Sequence, residues 1–383
     1  MKKVLFATTA TAALAIGGMA SAQGVALFGD ARLGLGYNIN NDGSTVSPDA
    51  DGNLPDDFRA ISRVRFGVNM TGETDSGLTF GATIRADNAT GGQGTTLGQS
   101  AGSVFVSGSL GTLTFGDTNG ADEQWVGDVP GDYSLTGLGD GDETLYVSNG
   151  GGFGNDDTQD FANDPTARPT IRYDFDLAGF GVSISSNRDL NAVGVGAGYA
   201  ADWGGGSWSI GAGYYDWQEF EITTGAGSSQ LCGVPGANAG DPIDLFQGQC
   251  TDAQIDAGGN TVQVPFLTGI ANAPAGHQWS VGGKATYDNF GFGATYIQIE
   301  GDQDTTIEQI LVGASFGFDA WAVGAYYGNI LSGEGGSIED FDGDQTFAFS
   351  GQYDLGGGAS INGGVRSTYN EDVIGDFGIK MAF

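Results

Sequence analysis

The chain has 383 residues, with 47 acidic against 13 basic side chains and a formal net charge of −34. That imbalance excludes a nucleic-acid partner, because neutralising phosphates requires Lys and Arg. Glycine, at 71 residues, is far above its usual share, yet it follows no collagen period, and aromatic and β-branched residues are interleaved with it throughout.

Lys2 and Lys3, an apolar run from Val4 to Met19, and Ala20-Ser21-Ala22 before Gln23 read as a secretory signal peptide cleaved after Ala22. Threonines and glycines interrupt the run and no stop-transfer cluster follows, so a transmembrane helix is the poorer reading. Residues 1–22 are therefore expected to be removed and 23–383 to form one domain. Cleavage takes away two of the 13 basic residues and none of the 47 acidic ones, which moves the net charge to −36.

From Gln23 onward, apolar or glycine residues alternate with polar ones in segments of about 8–14 residues, the period-two signal of β-strands. In the first segment Leu27, Ala31, Leu33, Leu35 and Tyr37 share one face, and Asp30 and Arg32 the other. Val64, Phe66, Val68 and Met70 then oppose Arg63, Arg65, Asn69 and Thr71; after a GETDSG turn, Leu78, Phe80, Ala82 and Ile84 oppose Arg85. Strands follow near 101–109 and 112–117. After a long gap, Ile171, Tyr173, Phe175 and Leu177 oppose Arg168, Arg172, Asp174 and Asp176. Further strands are expected near 180–188, 192–202, 207–219, 277–288, 290–300, 305–318, 320–330, 345–355, 358–370 and 375–383, sixteen altogether. Short links alternate with usually long, acidic ones, and the apolar faces are rich in aromatics near the strand ends. A soluble propeller or sandwich explains neither feature. An all-β, antiparallel, 16-stranded transmembrane barrel explains both. Each strand is long enough to cross a bilayer at a tilt, and closure leaves no unpaired edge in lipid. A barrel this wide cannot be filled by its own wall side chains.

The long gap, residues 118–167, follows the fifth strand. From Asp117 to Asp164 there are twelve carboxylates and no Lys or Arg: Asp117, Asp122, Glu123, Asp128, Asp132, Asp140, Asp142, Glu143, Asp156, Asp157, Asp160 and Asp164. Loops of this length are usually functional or disordered. Trp125, Tyr133, Leu135, Leu138, Tyr146 and Phe153 offer anchors, so an ordered, inward-folded acidic loop is expected. Arg32, Arg63, Arg65 and Arg85 share the polar parity of the first three strands, and a pore that sets them opposite the loop relieves the self-repulsion of both.

The stretches GDARLGLGYN, SRVRFGVNMTGETDSGLTFGA, VFVSGSLGTLTFGDTNGADEQ, YDLGGGASINGG and the closing DFGIKMAF resemble the Rhodobacter-type general-diffusion outer-membrane porins of alphaproteobacteria. The resemblance is close over about the first hundred residues after the signal and the last thirty. It implies a homotrimer in the outer membrane of a Gram-negative cell, in contact with lipid and lipopolysaccharide, passing ions and small hydrophilic solutes by passive diffusion. It also implies that basic wall residues and acidic loop residues frame the constriction. Phe383, with Met381, Ile379 and Phe377 on its parity, would be the signal for barrel assembly. Residues 221–276 depart from the pattern and are read as a long extracellular loop.

Gly151–Asp156, followed by Asp157 and Asp160, has the look of a calcium-binding nonapeptide, and Asp140, Asp142 and Glu143 form a second oxygen-rich cluster suited to a hard cation. Calcium is thus the one candidate cofactor, and some members of the resembled family carry it. Cys232 and Cys250 lie in one polar segment of an exported chain, which favours a disulfide over a zinc site lacking a nearby histidine. Gly98–Gly102 matches a nucleophile-elbow pattern without the strand-to-helix turn it requires. The single histidine, His277, falls on the apolar parity at a strand end. No enzyme activity is expected, and no residues remain for a separate adhesive domain.

Overall fold

In the computed structural model, the described residues are 24–39, 58–89, 100–116, 118–138, 146, 148, 169–187, 190–218, 220–223, 230–232, 261–263, 270–273, 275–301, 305–334, 343–369 and 371–383. Sixteen antiparallel strands close into a barrel. They are β1 (Gly24–Tyr37), β2 (Phe58–Glu73), β3 (Thr79–Ala89), β4 (Ser100–Gly108), β5 (Gly111–Gly116), β6 (Pro169–Leu177), β7 (Phe180–Asn187), β8 (Ala192–Trp203), β9 (Gly206–Trp217), β14 (Gly276–Tyr287), β15 (Phe290–Gly301), β16 (Thr305–Phe318), β17 (Trp321–Glu334), β18 (Gln345–Gly356), β19 (Ala359–Ser367) and β20 (Val373–Ala382). Each pairs with its neighbours in that order, and β1 closes on β20, from Asp30 opposite Ala382 to Tyr37 opposite Gly375.

The expected strand count stands, and most ends fall within two residues of expectation. β17 runs to Glu334 rather than 330, and its register with β16 shifts between Glu308 and Gln309, which pair with Ser332 and Ile330. The interval between β9 and β14 forms a separate compact unit, residues 219–274. In it β10 (Phe220–Thr223) pairs with β13 (Ile270–Ala273), and β11 (Gln230–Cys232) with β12 (Thr261–Gln263). Alternation over three or four residues is too short to have announced these strands.

The two faces of the wall differ chemically. One carries exposed Val25, Leu27, Val64, Phe66, Ile84, Val195, Trp279, Phe292 and Phe349, apolar side chains left uncovered in large number. Such a surface suits hydrocarbon rather than water. Aromatic pairs concentrate on this face near the strand ends: Tyr214–Trp279 at 4.4 Å, Phe290–Phe316 at 4.5 Å and Trp321–Tyr353 at 4.7 Å between ring centroids. His277 lies on the same face, within 3.4 Å of Glu300 and beside Tyr214. The opposite face is mostly glycine, small polar and charged residues, among them Arg32, Ser183, Ser185, Gly196, Gly213, Gln278, Gly313, Asn362 and Asp376, with a few buried apolar side chains such as Tyr215, Ile297 and Leu311.

Six of the hairpins at one rim turn in two residues, as at Ala178–Gly179 and Gly357–Gly358, where both φ angles are positive. That conformation matches the strand twist. Gly77 and Gly179 have nearly the same φ, 84° and 82°, but a Cβ on Gly77 would meet nothing within 4 Å, whereas one on Gly179 would lie 2.4 Å from the Ala200 carbonyl oxygen. Asparagine tolerates the left-handed region, so the pair separates crowding from backbone strain. Gly77→Asn is expected to change stability by less than about 0.5 kcal/mol and Gly179→Asn to cost roughly 1–3 kcal/mol, measured as the shift in heat-driven barrel unfolding.

Candidate functional site

The segment that leaves β5 makes a short helix, α1 (Ala121–Gln124), and α1 lies on the polar face of β7, β8, β9 and β14. What admits it is the absence of side chains. A Cβ on Gly196 would stand 1.8 Å from the Ala121 carbonyl oxygen, one on Gly211 2.2 Å from that of Trp125, and one on Gly213 2.3 Å from the Asp122 Cα. Polar wall residues then fix the seat. Ser185 Oγ accepts from the Ala121 amide at 2.9 Å, Ser183 Oγ accepts from Trp125 Nε1 at 2.9 Å, and Ser280 Oγ donates to the Asp122 carbonyl at 2.8 Å. Arg172, held by Asp174 at 3.0 Å, donates to the Asn119 carbonyl at 2.8 Å.

Beyond α1 the chain continues along the wall. Gly127 faces Lys284, and Lys284 lies within electrostatic reach of Asp128 and Glu123. Pro130 and Gly131 cross Gly293, Gly313 and Gly324, where a Cβ on Gly313 would be 2.1 Å from the Pro130 carbonyl oxygen and one on Gly324 2.1 Å from that of Gly131. The far end is bound more heavily. Ser350 Oγ accepts from the Tyr133 amide at 2.7 Å, and Asn362 Nδ2 donates to the Tyr133 carbonyl at 2.9 Å. Asp376 accepts three bonds, from the Leu135 amide at 3.1 Å and from the Thr136 amide and hydroxyl at 2.7 Å each. Arg32 Nη1 donates to the Thr136 carbonyl at 2.8 Å; Arg366 Nη1 and the Tyr326 hydroxyl donate to that of Leu138 at 2.6 and 3.1 Å. Leu138 is buried with Ile39 and Ile374.

The predicted site residues divide accordingly. Arg32 is buried and holds backbone carbonyls of the segment. Arg63, its register partner on β2, and Arg65 lie 3.5 and 4.0 Å from Asp30 on the same wall. Arg85 is half-buried on β3. Asp122 and Glu123 are buried, with Asn119 Nδ2 donating to Glu123 Oε1 at 2.7 Å; Asp128 and Asp132 are half-buried. Asp117, Asp140, Asp142, Glu143, Asp156, Asp157, Asp160 and Cys250, with the side chain of Cys232, lie outside the described residues. Among the described residues, no three His, Cys, Asp or Glu side chains are gathered to hold a metal. Phe383 is exposed, its amide donating to the Gly29 carbonyl at 2.9 Å.

Sequence reasoning missed the wall's share of the seat: Ser183, Ser185, Gln278, Ser280, Lys284, Ser350, Asn362, Arg366 and Asp376. The available signal was the glycine at every second position in 194–198 and 211–213, all on one face. Asp376→Ala would leave three buried donors unpaired and is expected to cost roughly 3–5 kcal/mol, whereas Asp376→Asn keeps an acceptor and should cost about half as much; thermal unfolding of the purified protein measures both.

The chain matches the model of a family described as Gram-negative porin over residues 7–373. It is 28% identical to a porin of Rhodobacter capsulatus over 373 residues, covering 94% of this chain and all of that protein. Among solved structures, a triple mutant of the Rhodopseudomonas blastica porin covers 94% of this chain and 100% of its own at 18% identity with a TM-score of 0.56, and a five-substitution mutant of that porin reaches 0.57 at 18% identity with the same coverage. The glycine-floored polar face, the apolar outer face and the family match agree, and the chain belongs to the Gram-negative porin family.

Proposed function

We propose that this outer-membrane channel for passive diffusion is narrowed by segment 118–167 folded against the inside of its wall, leaving an aperture bounded by loop carboxylates on one side and by Arg63, Arg65 and Arg85 on the other. The channel class and its outer-membrane location follow from the family. The observation that supports the constriction is the run of contacts from β7 through β14–β19 to β20 and β1, all on the polar face and made by the described residues of the segment, while those arginines lie on the polar face of the neighbouring β2 and β3. Arg32, Asp122 and Glu123 serve the seat of the loop; the half-buried Asp128 and Asp132 are the better-placed acidic groups for meeting permeants. A chain with 47 acidic residues against 13 basic should draw cations. At about 10 Å in water, two unit charges interact by only about 0.4 kcal/mol, so the eyelet biases permeants without binding them tightly.

The proposal extends to a homotrimer. The outward-facing Trp and Tyr residues, including Tyr173, Tyr199, Trp208, Trp279 and Trp321, lie on β6–β18, while β19, β20 and β1–β5 carry among the described residues only Tyr37. Interfacial aromatics mark contact with lipid, so the bare apolar sector suits contact with a second copy. Calcium at Asp140, Asp142, Glu143, Asp156, Asp157 and Asp160, a Cys232–Cys250 disulfide, signal cleavage after Ala22 and assembly through Phe383 complete the reading, supported by the donor chemistry and the sequence context. Calcium would tie down the distal loop by binding only its folded form.

Planar-bilayer recording in a salt gradient tests the constriction. The native channel should prefer cations at low salt and less so at high salt, and Arg63→Ala with Arg65→Ala should raise the cation-to-anion permeability ratio roughly two- to fourfold. An unchanged ratio places both arginines away from the aperture. A chelator should make the conductance steps larger and noisier if the loop holds calcium.

A further inference from the structure

Asp122 is an unusual choice for the residue that seats α1. It has no exposed surface. Its Oδ2 accepts from Ser148 Oγ at 3.0 Å and from Gln278 Nε2 at 3.2 Å, both neutral donors, while its Oδ1 is buried with no hydrogen-bond partner. Among the described residues, none of the charged groups around it pairs with it. Arg172 on β6 is engaged by Asp174, Lys284 on β14 lies in reach of Asp128 and Glu123, β7 presents Ser183 and Ser185, β8 presents glycine, and β9 presents Tyr215. Glu123, its neighbour on α1, adds a second negative group. A carboxylate in such a place carries the desolvation penalty of its charge without a counter-ion; a protonated carboxyl does not.

We propose that Asp122 is a positioning residue whose protonation sets how firmly α1 is held to the β7–β9–β14 sector, so that the first part of the constricting segment is latched more tightly in acid than at neutral pH. The inference rests on the constriction reading only for its consequence in the pore; the latch itself is a statement about docking.

Burial pushes the Asp122 carboxyl up from 3.8 to about 6, against smaller opposing pulls from Ser148 and backbone amides. The docked form therefore binds the proton more tightly than the undocked form. Docking is strongest below the undocked value, weakens as pH rises between the two, and stays at its weakest above about 6. Between about pH 8 and about pH 5 the ratio of docked to undocked segment should rise about tenfold.

Hydrogen exchange of the amides of 120–127 in the full-length detergent-solubilised protein reads this directly, after correction for the intrinsic pH dependence of exchange. Protection of this stretch relative to strand amides should rise about tenfold from about pH 8 to about pH 5 in the native protein. Asp122→Asn should be equally protected at both. Protection of the native segment that is independent of pH, or a pH response that persists in Asp122→Asn, overturns the latch. If the variant does not fold, the native titration alone decides. Because exchange reports docking and not conductance, a pH response in exchange with steady open-channel noise would count against the constriction reading and leave the latch standing.

Discussion

One steric constraint shapes the polar face of this barrel: a polypeptide backbone can come into direct contact with the backbone of a β-sheet only where the sheet has no side chains. The wall meets it with glycine on the polar parity. Gly196, Gly211, Gly213, Gly313, Gly324 and Gly378 each stand where a Cβ would collide with the segment or with the strand beside it. Glycine inside a strand costs conformational entropy, roughly 0.5–1 kcal/mol against alanine, and packs poorly on its own. Here the glycines that carry this cost are the ones that residues 118–138 lie against.

The charge arrangement follows from that geometry. The polar face has to satisfy the backbone groups of a segment with almost no regular structure, and it does so with serines, amides and a few charged side chains rather than with a matching strand. Arg32, Arg366 and Asp376 are used up in this way. Arg63 and Arg65 on β2 stand beside Asp30, Arg85 is half-buried on β3, and the half-buried Asp128 of the segment lies within reach of Lys284 on β14.

The barrel was legible because its cause is local. Alternation, strand length and the rhythm of short and long links each come from neighbouring residues, and closure at sixteen follows from counting them. The site was half legible. The acidity of 117–164 and the parity of Arg32, Arg63, Arg65 and Arg85 are visible in the sequence, but whether an arginine meets a permeant or a backbone carbonyl depends on a partner a hundred residues away. Arg32 and Thr136 are joined across such a separation, and Asp376 and Leu135 across more than twice that. Asp376 reads in sequence as one more polar residue on the hidden face of the last strand. The glycine excess is visible in the sequence as a composition and not as a surface, because its meaning depends on what lies on it.

The central claim is that residues 118–138 lie on the glycine floor along the polar face. It is tested most directly by a tether. The Ser134 Cβ lies 3.0 Å from where a Cβ on Gly364 would stand, near the roughly 3.5–4.5 Å of a disulfide. With Cys232 and Cys250 replaced by serine, Ser134→Cys combined with Gly364→Cys should oxidise to a single linked species whose peptides are joined in the mass spectrum and whose open-channel conductance equals that of the untethered protein. Free thiols after oxidation of a folded barrel, or a link that forms only with a changed conductance, would contradict the account.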